Sequence, residues 1–340
     1  MSRWTPSQIQ TLRRLRSGFL QGTAGKTDYW QSESDLALYD ATFAQRIGWK
    51  WDAVLGELQL RQFAPRFEAP LIDLGCGSGI AARRVLAHWP GKFPSLTLVD
   101  RSPLARNFAA ARVREMAPKI PVHLSTPAEL HCEGAFVLLS HIITELSSEE
   151  LSRWIPQLQR AAGILWVESA THESSRKLIA QVREIFQTEG SWRIAAPCTH
   201  ADACPLLRPE NARHWCHHFA RVPSEAHQEA EWSALADELG LDLSALPYSF
   251  LAMDRETTRT QTQGFSRILG RVRQLKGHHR ILSCSEKGLQ EWTLQKRDLP
   301  EVFKELRRES TVPLYRWKTV GDKIITCDRL DTETTPPTAG

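Results

Sequence analysis

The stretch APLIDLGCGSGIAARRVLAHW, residues 69–89, constrains the fold most, because a short apolar strand gives way to alternate glycines and then to a helical pattern. Asp73, Gly75, Gly77 and Gly79 form a D-x-G-x-G-x-G run at the end of that strand. Missing side chains let the backbone turn tightly there and approach a ligand. The turn lacks the Lys and Ser/Thr of a P-loop, which disfavours nucleoside triphosphate hydrolysis. A dinucleotide fingerprint would need its third glycine at position 80, where the chain has Ile80.

The segment SLTLVDRSPLARNFAAARVREM, residues 95–116, repeats strand, polar turn and helix, with Asp100 at the strand end and Ser102 and Pro103 opening the helix. Apolar runs at 135–140 and 163–168 add further strands, giving five before residue 170. Strands separated by helical patterns predict a mostly parallel sheet covered on both faces. Upstream, Leu36, Tyr39, Phe43, Ile47, Trp51, Leu55 and Leu58 follow one helical period from residue 35 to 62. Residues 1–27 carry Arg3, Arg13, Arg14, Arg16 and Lys26 but no acid; Thr5 and Pro6 make this a capped basic helix, with a targeting segment as the other reading.

Motif I of the class I S-adenosylmethionine (SAM) methyltransferases resembles the 73–79 turn, and Asp100 strengthens the resemblance, since a carboxylate there can accept hydrogen bonds from ribose hydroxyls. The loop after the fourth strand, SHIITEL (140–146), lacks the paired prolines of many amino-directed nucleic-acid methyltransferases, and no cysteine nucleophile of the pyrimidine C5 type is recognisable. Glu145 is the candidate acid/base or orienting group.

Charge and cysteines narrow the class further. No run of 18 apolar residues occurs, which excludes a membrane-spanning helix. The net charge of +4 specifies no partner, but residues 259–308 hold 12 Lys or Arg against 5 Asp or Glu. Arg267, Arg271, Arg273, Lys276 and Arg280 form a basic strip suited to phosphates. Seven cysteines without a signal-like segment suit a reducing compartment, where clustered cysteines bind metal more often than they pair. Cys198, Cys204 and Cys216 lie among four histidines in CTHADACPLLRPENARHWCHHF (198–219). By spacing, zinc and a [4Fe-4S] cluster both remain open.

In order along the chain, the glycine turn, SHIITEL (140–146), PCTHADACPL (197–206), WCHHF (215–219) and YSFL (248–251) resemble the Rsm22-like mitochondrial and bacterial small-ribosomal-subunit methyltransferase-like family. The resemblance implies that Cys198, Cys204, Cys216 and Cys284 hold a [4Fe-4S] cluster, with zinc as the alternative, and that Cys76, Cys132 and Cys327 do not take part. It implies SAM at Asp73, Gly75, Gly77, Gly79 and Asp100. Thr199 stands where the family tends to have Pro, WCHHF has an additional His, and residues 257–265 depart from the family's linker.

The expected fold is α/β, a class I methyltransferase Rossmann-like sheet with N-terminal helices, a cysteine-rich metal-binding insertion and a C-terminal basic β-rich extension. The expected divisions are a helical region at 1–65, a SAM-binding core at 66–196, a Cys/His-rich insertion at 197–225, completion of the core and the basic extension at 226–330, and a disordered tail at 331–340. The expected function is a SAM-dependent methyltransferase or methyltransferase-like factor acting on small-subunit ribosomal RNA or the precursor small subunit. Its alternatives are a non-catalytic iron-sulfur assembly factor and a small-molecule methyltransferase. The expected location is the cytoplasm, with the mitochondrial matrix as the alternative.

Overall fold

Residues 4–20, 30–66, 68–224, 226, 230–244, 246–256, 262–307 and 313–330 are described by a computed structural model. The expected tail at 331–340 lies outside the described residues, as do parts of the 1–27 and 257–265 segments. The chain divides into two compact units. One comprises Met1–Leu55, Pro65–Ser169 and Phe219–Phe250, and the other Gly56–Ala64, Ala170–His218 and Leu251–Gly340. The cysteine-bearing stretch belongs to the second of these.

In the first unit, α1 (Pro6–Leu20) starts at a reciprocal cap, in which the Gln8 amide donates to Thr5 Oγ1 and the Thr5 amide donates to Gln8 Oε1. Its arginines serve the fold: Arg13 pairs with Glu238 at 2.9 Å, Arg14 with Asp35 at 2.5 Å, and Arg16 donates to the Leu239 and Gly240 carbonyls. The single helix expected over 35–62 is two, α2 (Glu33–Ala41) and α3 (Phe43–Leu60). Thr42 breaks it, because its hydroxyl donates to the Leu38 carbonyl at 2.7 Å and takes the acceptor that a continuing helix would use.

Strands β1 (Leu71–Leu74), β2 (Leu96–Val99), β3 (Val122–Ser125), β4 (Phe136–Ser140) and β5 (Gly163–Ser169) alternate with α4 (Ile80–His88), α5 (Pro103–Met116) and α6 (Ser148–Leu158). The β1/β2, β2/β3, β1/β4 and β4/β5 pairs are all parallel. β1 is buried along its whole length, as a strand covered on both faces must be. After α7 (His172–Leu178) and α8 (Glu184–Glu189) come β6 (Arg193–Ala196), β7 (His218–Ala220), α9 (Ala230–Leu239) and β8 (Leu246–Asp254). β6 runs antiparallel to β8, and the sheet order is β3-β2-β1-β4-β5-β8-β6.

A small second sheet follows in the second unit. It contains β9 (Ser266–Ile268), β10 (Arg273–Leu275), β11 (His278–Ser285), β12 (Gly288–Gln295), α10 (Pro300–Arg307), β13 (Leu314–Val320) and β14 (Lys323–Arg329). β11 and β12 form a hairpin across residues 286–287. The order is β10-β11-β12-β14-β13-β9, and β9 also pairs with β11, so the sheet closes on itself. Alternate residues of β11 are buried; Ile281, Leu294, Tyr315 and Ile324 fill the interior with Phe303 and Leu306 of α10.

Candidate functional site

Asp73 is fully buried at the end of β1, and its Oδ2 accepts the Ala82 amide at 3.1 Å, fastening the strand to the first turn of α4. Burial raises its pKa to about 7. Its Oδ1 has no hydrogen-bond partner among the described residues. Gly75, Gly77 and Gly79 all have positive φ, +76°, +50° and +76°. Two of these glycines are also required by contact: a Cβ on Gly75 would stand 2.7 Å from Ile142 Cγ2, and one on Gly79 would stand 2.9 Å from Ala109 Cβ.

Asp100 lies beside this turn. Its Oδ2 accepts the Gly77 amide at 3.0 Å and its Oδ1 accepts the Ser102 amide at 2.9 Å. The carboxylate therefore ties the glycine turn to the start of α5 while retaining lone pairs for a further donor. Burial raises its pKa against these two amide bonds. Glu145 is half-buried, its pKa raised to about 7 by burial and, less, by Glu168 and Asp100. Tyr39 is raised as well, mainly by burial and, less, by Glu145, Asp40 and Asp100. These groups share one low-dielectric region at the carboxyl ends of the parallel strands, where ligands bind in open α/β sheets.

Three contributors were not singled out from the sequence. Glu168 is fully buried near the end of β5, and its Oε1 accepts from the Ile142 amide at 2.9 Å, the Ile143 amide at 2.8 Å and Trp166 Nε1 at 2.6 Å. It fixes the loop that carries Glu145. His141 has φ +56°, and its Nδ1 meets Ser169 Oγ at 3.1 Å, while burial and then Lys50 hold its pKa well below the ordinary range. Lys50 of α3 is lowered to about 7 by burial, with Arg46 adding and Glu168 opposing. The signal for Glu168 was an acid within the apolar run GILWVES.

In the second unit, the four candidate thiols share one pocket. Cys204 packs with Leu206, Ile179 and Leu269, and Cys216, Cys284, Leu282 and Leu289 pack against them. Arg183 Nε stands 3.4 Å from Cys198 Sγ, His218 Nε2 lies 3.6 Å from Cys216 Sγ, and His200 Nε2 lies 3.5 Å from Cys284 Sγ. Burial pushes the Cys204 thiol up to about 12 and raises Cys216 and Cys284 as well. Among the described residues, however, no group of three or more His, Cys, Asp or Glu side chains is gathered as metal ligands. The donor chemistry is soft enough for zinc or an iron-sulfur cluster, but the sulfurs are not assembled around a common centre. Cys76 and Cys132 are buried in the first unit, and Cys327 packs against the interior of the small sheet.

One expectation is corrected here. Arg267, assigned to the exposed basic strip, is 4% exposed and forms an ion pair with Glu57, Nη2 to Oε2 at 2.5 Å and Nε to Oε1 at 3.1 Å. Arg61 shares the same carboxylate at 2.7 Å and donates to the Pro197 carbonyl at 2.7 Å and the Cys198 carbonyl at 3.2 Å. A bidentate buried pair outcompetes solvent for a guanidinium once a carboxylate is placed opposite it. Arg61 thus holds the base of the cysteine loop, and Arg267 shares the carboxylate that orients it. Arg273 is also paired, with Glu291, but remains exposed.

The sheet order, with β6 antiparallel to β8 and a glycine turn after β1, defines the fold of the class I SAM-dependent methyltransferases. The chain belongs to the family described as mitochondrial small ribosomal subunit Rsm22, which matches residues 41–311. Among curated proteins none matches the chain. Among solved structures it is similar to the magnesium protoporphyrin IX methyltransferase of Synechocystis with bound SAM, at 13% identity and TM-score 0.38, over 75% of this chain and 100% of that one. It is also similar to a SAM-dependent methyltransferase of Aquifex aeolicus, at 16% identity and TM-score 0.36, over 48% of this chain and 90% of that one. The class rests on the strand order and the turn, not on these likenesses.

Proposed function

We propose that this protein is a SAM-binding, methyltransferase-fold factor of small-ribosomal-subunit assembly, with small-subunit ribosomal RNA or its precursor particle as partner. The observation that carries the proposal is the family match, which runs through residues 41–311 and so includes both the glycine turn and the cysteine pocket. Asp73 and the 75–79 turn position the cofactor and Asp100 receives its ribose. Bound SAM supplies an electrophilic methyl group. Ile142 closes over Gly75, and Glu168 holds Ile142 and Ile143 in place, so the loop facing the cofactor is rigid and largely apolar. That wall suits a bound cofactor acting as a structural ligand.

Methyl transfer is the second reading, favoured by Glu145, whose carboxyl at about 7 is poised to orient or deprotonate an acceptor. The cysteine pocket is proposed to take a [4Fe-4S] cluster on Cys198, Cys204, Cys216 and Cys284, with zinc as the alternative; its support is the softness of four sulfur donors that all lie within the span of the family match. The family description favours the mitochondrial matrix over the cytoplasm expected from cysteine usage.

The test is co-sedimentation with precursor small subunits in the presence of methyl-labelled SAM. The structural-ligand reading expects the protein to bind the particle with the label recovered as SAM. Label in the RNA, lost in Glu145→Gln, would establish the second reading instead, and failure to bind the particle would reject both.

A further inference from the structure

The closed sheet of the second unit has a connection scheme that specifies more than a packed core. β9 and β10 form one bent first strand, interrupted at Gly270, where φ is +67°. β11 is the second strand, β12 the third, β13 the fourth and β14 the fifth, with α10 between the third and fourth. The first pairs antiparallel with the second and the fourth, the fourth antiparallel with the fifth, and the third parallel with the fifth. This is the arrangement of the OB-fold, a five-stranded Greek-key barrel whose second and third strands, with the one-two and four-five loops, bind oligonucleotides or oligosaccharides.

That face carries the charge. A cavity of about 790 Å³ lies across β11 and β12 and is lined by Lys276 of the one-two loop, Arg280, Lys296, Arg297, and Asp322 and Lys323 at the four-five turn. Five cations thus face one carboxylate. Asp322 Oδ2 accepts from Arg280 Nη1 at 3.0 Å and from Thr293 Oγ1 at 2.8 Å, so the acid holds Arg280 along the floor. Lys276, Lys296 and Lys323 are exposed. Among the described residues, the only ring lining the groove is that of His278, which leaves little platform for stacking bases. A groove with cations and no aromatic platform follows the backbone of its ligand and is indifferent to sequence.

We propose that this face of the barrel binds a single-stranded RNA segment through its phosphates. The identity of that RNA as a small-subunit segment rests on the function proposed above; the groove does not. Binding of a labelled oligouridine strand, and of a duplex of equal length, is measured by fluorescence anisotropy on the full chain across a salt series. The strand is expected to bind at least tenfold more tightly than the duplex. The triple variant Lys276→Gln, Lys296→Gln, Lys323→Gln should lower the salt slope by about 2, since each single-strand phosphate contact contributes about 0.7, and weaken binding roughly 100-fold at about 0.1 M salt. Asp322→Asn should strengthen binding several-fold, a gain that misfolding cannot imitate. A matched triple outside the groove, Lys287→Gln, Lys304→Gln, Lys318→Gln, should match the wild type. Equal loss in the two triples, an unchanged slope in the groove triple, or a duplex bound as tightly as the strand would overturn the inference. Oligouridine binding that persists in a protein unable to join small subunits would count against the proposed function alone.

Discussion

The glycine turn and the cysteine pocket solve opposite problems. The turn is built from main-chain geometry within 28 residues, Asp73 to Asp100, and its shape is enforced by glycines at positive φ and by carboxylates that collect amides. Its shape is set by contacts within the protein itself. The pocket draws on residues from Glu57 to Cys284, and at its base one buried carboxylate, Glu57, pairs with Arg61 in the same segment and with Arg267 far along the chain. Ligand binding should therefore depend on single atoms in the first region and on whole-pocket integrity in the second.

The largest effect is expected at Glu57. Burial alone would raise its pKa, but Arg267 and Arg61 together hold the carboxyl below its ordinary value. Glu57→Gln leaves two buried guanidiniums without their anion and should cost about 3 to 5 kcal/mol in chemical denaturation. Because the folded pKa is depressed, the stabilisation of the wild type is complete above the unfolded value of about 4.3 and is lost as pH falls through the folded value. The acid-unfolding midpoint of Glu57→Gln should consequently respond less steeply to pH over that window. A variant as stable as the wild type would show that the pocket does not rely on the ion network.

Next in size is the response of the pocket to losing one thiol. In anaerobically purified protein, Cys284→Ser should lower iron and inorganic sulfide together by more than half, and soluble yield with them, because closing a site across long segments contributes to folding. Cys327→Ser should retain both. Zinc in stoichiometric amount without sulfide would replace the cluster with the structural-zinc alternative, and full metal retention in Cys284→Ser would remove that residue from the site.

The contrast also explains what the sequence made legible. Asp73, the three glycines and Asp100 were readable because strand, turn and helix signals are local, and the parallel strands before residue 170 followed from the same periodicities. The break at Thr42 was not readable, since one hydroxyl competing for one carbonyl leaves the helical period intact. Arg267 was misplaced because a charge count cannot reveal a partner 210 positions away. Closure of the barrel escaped notice because it depends on the parallel pairing of β12 with β14 and on β9 joining two strands, neither of which has a local signature. Glu168 would have been found by asking why an acid interrupts a buried strand.

The central claim is that the main-chain turn after β1 binds SAM and that Asp100 contributes a direct contact. Isothermal titration of SAM into the full chain tests it most directly. One site per chain is predicted, weakened by about 1 to 3 kcal/mol, roughly 5- to 150-fold, in Asp100→Asn, and unchanged in the barrel-groove triple variant. No binding by the wild-type protein, or equal affinity in Asp100→Asn, would contradict the account.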